Sequence, residues 1–267
     1  MLLPVSSERV PRLLQLPSIA STNAELVRLA EEAELPAFTT LVTDDQTAGR
    51  GRRGRSWVAP AGTSLAISVL LRPSGQDGVA LDPSRFSWLS LAAGVAMTDA
   101  VAAVLRESVL TGSEVGFKWP NDVLVSGKKI CGVLGELLPS GGGVVMGAGV
   151  NVTMTADQLP VPTATSLALE GAAGDDLPDR ILSRYLGRLV ELVEAYGEHG
   201  GDADASGLRA AAVERCTTLG REVRAVLPGD AELLGSAVGI DELGRLQIRS
   251  GSGRVEAVAA GDIIHLR

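Results

Sequence analysis

Leu26, Leu29, Ala30 and Ala33 fall at helical spacing behind Ser21-Thr22-Asn23. Glu25 stands three residues after Thr22, a capping-box arrangement that predicts a helix start there, with Pro36 as its stop. Residues 38–42 are β-rich and lead toward Gln46. Pro60-Ala61-Gly62 makes a turn, and 64–71 read as a strand. Asp82-Pro83-Ser84 opens a long helix to about residue 107, with Trp88, Leu91, Val95 and Ala102 inward. A meander follows: strands at 115–119, 123–125, 128–138 and 144–152, joined by turns at Ser126-Gly127 and Gly141-Gly142-Gly143. Residues 153–179 read as irregular connection. Ile181, Tyr185, Leu189, Leu192 and Tyr196 form one stripe of a helix over 181–196, followed by an exposed Gly/Asp-rich loop at 199–207 and a short helix at 208–216. Beyond residue 217 the texture changes to short strands around turns at Pro228-Gly229, Asp241-Glu242-Leu243-Gly244 and Ser250-Gly251-Ser252-Gly253. The pattern predicts an α+β chain: a mixed or antiparallel sheet with flanking helices over residues 1–217, then a small β-barrel over 218–267.

Composition narrows the function classes. The chain has 267 residues, 45% hydrophobic, which suits one large domain with a small appendage. Its net charge is -8 and its pI about 4.9, against the basic stripe of a dedicated nucleic-acid binder. Two cysteines far apart, Cys131 and Cys216, suggest a reducing cytosol, and Cys131 sits in an apolar run as an inert thiol. No signal peptide is visible, since Pro4 and Pro11 interrupt the N-terminal segment, and no uninterrupted apolar run reaches membrane-spanning length. A soluble cytoplasmic protein is expected.

Against that acidic background stands Gly49-Arg50-Gly51-Arg52-Arg53-Gly54-Arg55-Ser56-Trp57, with three glycines and four arginines in seven positions. Backbone freedom and guanidinium forks suit a loop that closes over an anion and is mobile when empty. A second cluster is Lys118-Trp119-Pro120-Asn121-Asp122, with Lys128-Lys129 beyond. Pro120 breaks the strand, leaving either a turn capped by its own side chains or polar groups displayed at a strand end. Hairpin geometry brings Asp122 and Lys129 to one end of the sheet, as a surface ion pair or as a site. The third cluster, Gly147-Ala148-Gly149-Val150-Asn151, offers small residues that allow either helix packing or a flat ligand. Ser21-Thr22-Asn23 is a helix cap and also a helix N-terminus with free amides. His199 and His265 lack partners at ligand spacing, and neither a Gly-x-Ser-x-Gly elbow nor a Walker-type phosphate loop is present.

These clusters, in this order, resemble the pattern of the biotin protein ligases. The resemblance runs from about Ser18 to Arg267. It implies a class II synthetase-like catalytic domain with an SH3-like C-terminal domain. Only about fifteen residues precede the pattern, which suggests a monofunctional ligase without the family's DNA-binding winged helix. The implied chemistry has two steps, using ATP, biotin and Mg²⁺. Biotin and ATP give biotinyl-AMP, and a lysine of a biotin carboxyl carrier domain of a carboxylase then takes the biotin. DNA and membrane are not expected partners.

By the same resemblance, Lys129, Asp122, Arg52 and Arg55 are the catalytic set. Ser21, Thr22, Asn23, Gln46, Gly49, Arg50, Gly51, Arg52, Lys129 and Gly132 hold biotin. Arg52, Arg55, Trp57, Asn121, Lys129 and Asn151 hold the adenylate. No metal ligand is assigned. Asp122 is a poor base for a solvated ammonium, since free lysine has pKa about 10.4 and free aspartate about 3.9. Orientation of the incoming amine and of Lys129 is the preferred role. A lipoate ligase is the nearest alternative, and the four-arginine loop before Trp57 favours biotin. A non-enzymatic phosphate or nucleic-acid binder is the alternative from another class.

Overall fold

The computed structural model describes residues 1–108, 112–227, 231–259 and 261–266. In chain order the elements are α1 (Pro4–Ser7), β1 (Leu13–Gln15), α2 (Thr22–Glu32), β2 (Thr40–Thr43), β3 (Gly49–Arg50), β4 (Ser56–Trp57), β5 (Ser64–Leu71), α3 (Ser87–Arg106), β6 (Val115–Lys118), β7 (Asp122–Val125), β8 (Lys128–Leu137), β9 (Val144–Asn151), α4 (Leu177–Glu198) and α5 (Leu208–Arg215). The C-terminal strands are β10 (Glu222–Val226), β11 (Glu232–Ile240), β12 (Leu246–Arg249), β13 (Val255–Val258) and β14 (Asp262–His265). The turn expected at Pro228-Gly229 lies outside the described residues.

The main sheet runs β1-β2-β5-β9-β8-β7-β6. Its β1–β2 pair is parallel and the other pairs are antiparallel, so the sheet is mixed. On one face, Leu65, Ile67, Val69 and Leu71 of β5 join Val144, Met146, Ala148 and Val150 of β9 beneath α3 and α4. On the other face, Leu70 and Val145 pack against Leu26 and Ala30 of α2. The second sheet, β13-β12-β11-β10-β14, is antiparallel throughout. Its buried residues, Val223, Ile248 and Ile263 among them, belong to the same core as α3. Two indoles tie the modules together: Trp88 Nε1 donates to Glu242 O at 2.8 Å and Trp119 Nε1 to Gly244 O at 3.0 Å.

Several local expectations are corrected. Ser21, not Thr22, caps α2, its side chain accepting from Ala24 N, and Glu25 instead pairs with Arg28. Ala33 is the exposed C-cap of that helix. Helix α1 precedes it, held by Asp179 of α4, whose carboxylate accepts from Val5 N and Ser6 N at 3.0 and 2.9 Å. Ala102 is half-buried rather than inward. The stretch Pro83–Arg106 is long and apolar enough by composition to cross a membrane, but Ser90, Thr98 and Asp99 interrupt it and 78% of its apolar window is buried in the protein. Its apolarity is explained by a helix with sheet below and α4 beside it.

Candidate active site

The cleft opens on the α2 face of the main sheet, with a cavity volume of ≈ 170 Å³. Its floor is bare backbone, because the cleft-facing positions include Ala66 of β5 and Gly147 and Gly149 of β9. A methyl group at Gly147 would lie 2.4 Å from Asn23 Oδ1, and one at Gly149 would lie 2.7 Å from the Trp57 ring. Glycine is therefore required at both positions by close approach.

The inner end is built by the N-terminus of α2. Thr22 N and Oγ1 both donate to Gln46 Oε1, at 2.8 and 3.0 Å. Asn23 is held from both ends. Its Nδ2 donates to Leu134 O and Glu136 Oε1, and its Oδ1 accepts from Ser68 Oγ at 2.6 Å. Ser21, Thr22, Asn23 and Ser68 are buried, so these polar groups are placed by the fold rather than by solvent.

The rim depends on a strand irregularity. Asp122 lies opposite Gly132 and Val123 opposite Cys131, but Leu124 lies opposite Lys129. The extra residue, Ile130, is a β-bulge. Consecutive Ile130 and Cys131 are both buried, and the side chain before them is turned to the cleft. Without the bulge, Lys129 would share the core face with Cys131 and Val133. As it is, Lys129 Nζ reaches Asp122 Oδ1 at 2.6 Å. Its stem crosses Gly132, where a side chain would begin 3.1 Å from Nζ. Asn121 is anchored to β8 through Nδ2 to Val133 O at 3.2 Å, and its Oδ1 accepts from Arg52 Nη1 at 2.9 Å. Buried Cys131 behind this rim has its thiol pushed up to about 12 by burial, consistent with the inert role expected.

The arginine segment expected as a loop is the turn of a short hairpin. Gly49 pairs with Trp57 and Arg50 with Ser56, and Gly51 N donates to Arg55 O at 2.6 Å. Trp57 lies over Gly149, so the flat group against that bare backbone is the protein's own indole. Burial lowers the pKa of the Arg52 guanidinium, with the charges of Asp262 and Asp122 acting the other way. Lys118, opposite Asp122 across β6 and β7, is also lowered, first by burial, with Asp122 opposing.

The cleft gathers Ser21, Thr22, Asn23, Gln46, Arg50, Gly51, Arg52, Arg55, Trp57, Asn121, Asp122, Lys129 and Gly132. Two residues of the expected set stand outside its lining. Gly49 packs behind it, where a side chain would meet Trp57 O at 2.4 Å. Asn151 lies two residues past Gly149 on β9 and donates to Thr165 O at 2.8 Å. Two charged lining residues escaped the sequence reading, Glu136 and Asp262. The sequence signal for Glu136 was a carboxylate inside an otherwise apolar strand; for Asp262, in the distant C-terminal module, there was none. Among the described residues no group of three or more His, Cys, Asp or Glu side chains is arranged to hold a metal ion. The cleft carboxylates are instead engaged by Lys129, Asn23, Arg53 and Arg55.

Comparison with known proteins agrees with this arrangement. Residues 16–151 match the biotin/lipoate A/B protein ligase family, and residues 218–266 match the biotin protein ligase C terminal domain. The biotin–acetyl-CoA-carboxylase ligase of Mycobacterium tuberculosis is 40% identical over 251 residues, covering 92% of this chain and 86% of that protein. The ligase of the same name from Paracoccus denitrificans is 35% identical over 249 residues, 90% of this chain and 95% of the relative. The structure of a biotin protein ligase from Aquifex aeolicus in complex with biotin and ATP superposes with a TM-score of 0.71 at 26% identity, over 96% of this chain and 99% of that one. Sequence and fold thus agree over nearly the full length of both modules, and the chain belongs to the biotin protein ligases of the biotin/lipoate A/B protein ligase family.

Proposed function

We infer that this protein is an ATP-dependent ligase that forms biotinyl-AMP and transfers biotin to a lysine of a biotin carboxyl carrier protein. The observation that carries the residue assignment is the pairing of Lys129 with Asp122 at 2.6 Å, beside Arg52 held by Asn121, above a cavity whose inner end is polar and buried. In the first step a biotin carboxylate oxygen attacks the α-phosphorus of ATP, and the bond to the β-phosphate breaks to release pyrophosphate. Two anions must meet, so the site has to supply positive charge where negative charge accumulates. Lys129 supplies it at the junction of carboxylate and α-phosphate. Arg50, Arg52 and Arg55 cover the same junction from the hairpin. Ser21, Thr22, Asn23 and Gln46 present buried donors and acceptors for the ureido ring, Gly51 and Gly132 leave space beside it, and Gly49 seats the hairpin. Trp57 and Asn121 border the nucleotide. Asn151 contributes to the adenine side once its bond to Thr165 is exchanged.

In the second step the acceptor amine attacks the carbonyl carbon, the bond to the phosphate oxygen breaks, and AMP leaves with the proton released from nitrogen. Asp122 orients the amine and Lys129. Mg²⁺ carried by the phosphates of ATP would supply further positive charge there. The acceptor is the carrier domain of a biotin-dependent carboxylase, and the two free, buried cysteines fit a cytoplasmic setting. DNA and membrane are not partners in this reading.

The test is mass spectrometry of a carrier domain incubated with the protein, ATP and biotin, expecting one biotinyl adduct on one lysine. An adduct formed with lipoate in place of biotin would move the assignment to lipoate ligation.

A further inference from the structure

The arginine hairpin is fastened to the C-terminal module by one carboxylate and two backbone carbonyls. Asp262 Oδ2, at the start of β14, receives Arg53 Nη1 at 3.4 Å and Arg55 Nη2. Arg53 Nη2 also donates to Val226 O at 3.0 Å, and Arg52 Nη1 contacts Gly261 O at 3.4 Å. Three arginines of one turn thus reach a single small patch about two hundred residues away in sequence. Asp262 itself lines the cleft.

We propose that Asp262 is a positioning residue that stands in for a nucleotide phosphate, holding Arg55 over the cleft and yielding it when ATP binds. The proposal rests on the ligase reading for the identity of the incoming anion. Carboxylate and phosphate oxygens compete for the same planar guanidinium fork. The side chain of Asp262 is 25% exposed and that of Arg55 is 67% exposed, so Arg55 is tethered at its tip while its stem is free to swing. A single carboxylate charge loses Arg55 to a polyphosphate carrying several.

Two effects of removing the Asp262 charge oppose each other. The hairpin loses an anchor, which raises the ordering entropy to be met on binding. The phosphates lose a competitor and a repelling charge in the same cleft. The second effect wins, because the hairpin keeps its own ladder, the Gly51–Arg55 backbone bond and the Arg52–Asn121 bond.

Asp262→Asn and the charge-retaining Asp262→Glu test this. In the free protein, amide exchange over residues 51–55 is expected to quicken in Asp262→Asn and to stay unchanged in Asp262→Glu. The KM for ATP in biotin-dependent pyrophosphate release is expected to fall about threefold to fivefold in Asp262→Asn, the range for relief of one partly exposed ion pair. The KM for biotin is expected to be unchanged. An ATP KM that is unchanged or raised, or exchange in the free protein that is equal in all three chains, overturns the proposal. Absence of pyrophosphate release by the unmutated protein would instead overturn the ligase reading, whereas the exchange comparison uses no substrate and stands apart from it.

Discussion

On β5, Leu65, Ile67, Val69 and Leu71 enter the layer under α3 and α4, while Ala66 and Ser68 on the opposite face border the cleft and the Asn23 network. On β9, Met146, Ala148 and Val150 mirror the first face, and Gly147 and Gly149 the second. The apolar face gains from side-chain volume, because close packing and burial stabilise it. The cleft face gains from the lack of it, because a methyl group at Gly147 or Gly149 would collide with Asn23 or Trp57. The same strands therefore separate stability from chemistry by residue parity. Change on one face should register in unfolding, change on the other in turnover.

The sharpest break of that separation is expected at Lys129. Its Nζ is solvent-facing at the rim and pairs with Asp122, so Lys129→Ala removes no core contact. Pyrophosphate release is expected to fall by at least about 10²–10³-fold, as for loss of one preorganised charge-stabilising group. The thermal midpoint is expected to stay where it was. Near-normal release by the folded variant would remove Lys129 from the mechanism.

The reverse behaviour is expected at Leu71, fully buried on the other face and absent from the cleft lining. Leu71→Ala is expected to lose roughly 2–5 kcal/mol of unfolding free energy, from lost burial and the residual cavity. Turnover of the folded fraction is expected to hold. Denaturant unfolding beside active-site-normalised turnover measures both. A large drop in kcat at intact stability would show that the two faces are coupled.

A subtler test lies within the cleft. Asp122→Asn keeps the shape beside Lys129 and removes the charge. Transfer from preformed biotinyl-AMP is expected to fall about 10–100-fold, for about 1.4–2.7 kcal/mol of lost alignment, with adenylation less affected. Restoration of transfer by raised pH would assign Asp122 to proton abstraction. No change at any pH would leave it a turn residue.

The apolar face was largely legible in the chain. The strand expected at 64–71 is Ser64–Leu71, and the four-strand meander and the stripe of α4 stand where periodicity put them. Such elements follow from side-chain alternation alone. The chemistry-bearing clusters were legible as clusters, since Gly, Arg, Lys and Asp interrupt that alternation. Less legible was what depends on one-residue offsets or long-range closure. The bulge at Ile130 turns Lys129 to the cleft, but Ile130-Cys131 reads as ordinary apolar strand. Ser21 and Thr22 are both good caps, and only the backbone chose between them. Asp262 meets Arg55 across two modules, a meeting no local pattern encodes.

The seam between the modules carries the smallest effect and a pH sign. His265 of β14 is half-buried, with Nε2 3.1 Å from Thr218 Oγ1, which itself accepts from Trp119 N at 3.0 Å. Thr218 therefore has its own proton to give to Nε2, an arrangement that suits the neutral ring. Burial first, then the charges of Lys118 and Arg221, lower the His265 pKa from 6.5 to about 4. The folded state thus disfavours the proton that the unfolded chain accepts below pH 6.5. Stability from this group is complete above that pH and is lost progressively as pH falls toward 4. His265→Gln keeps a polar partner for Thr218 and cannot titrate. Its thermal midpoint is expected to drop less between pH 7 and pH 5 than that of the unmutated protein. Equal drops in the two proteins would mean that His265 takes up its proton as readily folded as unfolded. The neutral ring would then have no part in holding β14 against the Trp119 end of the catalytic sheet.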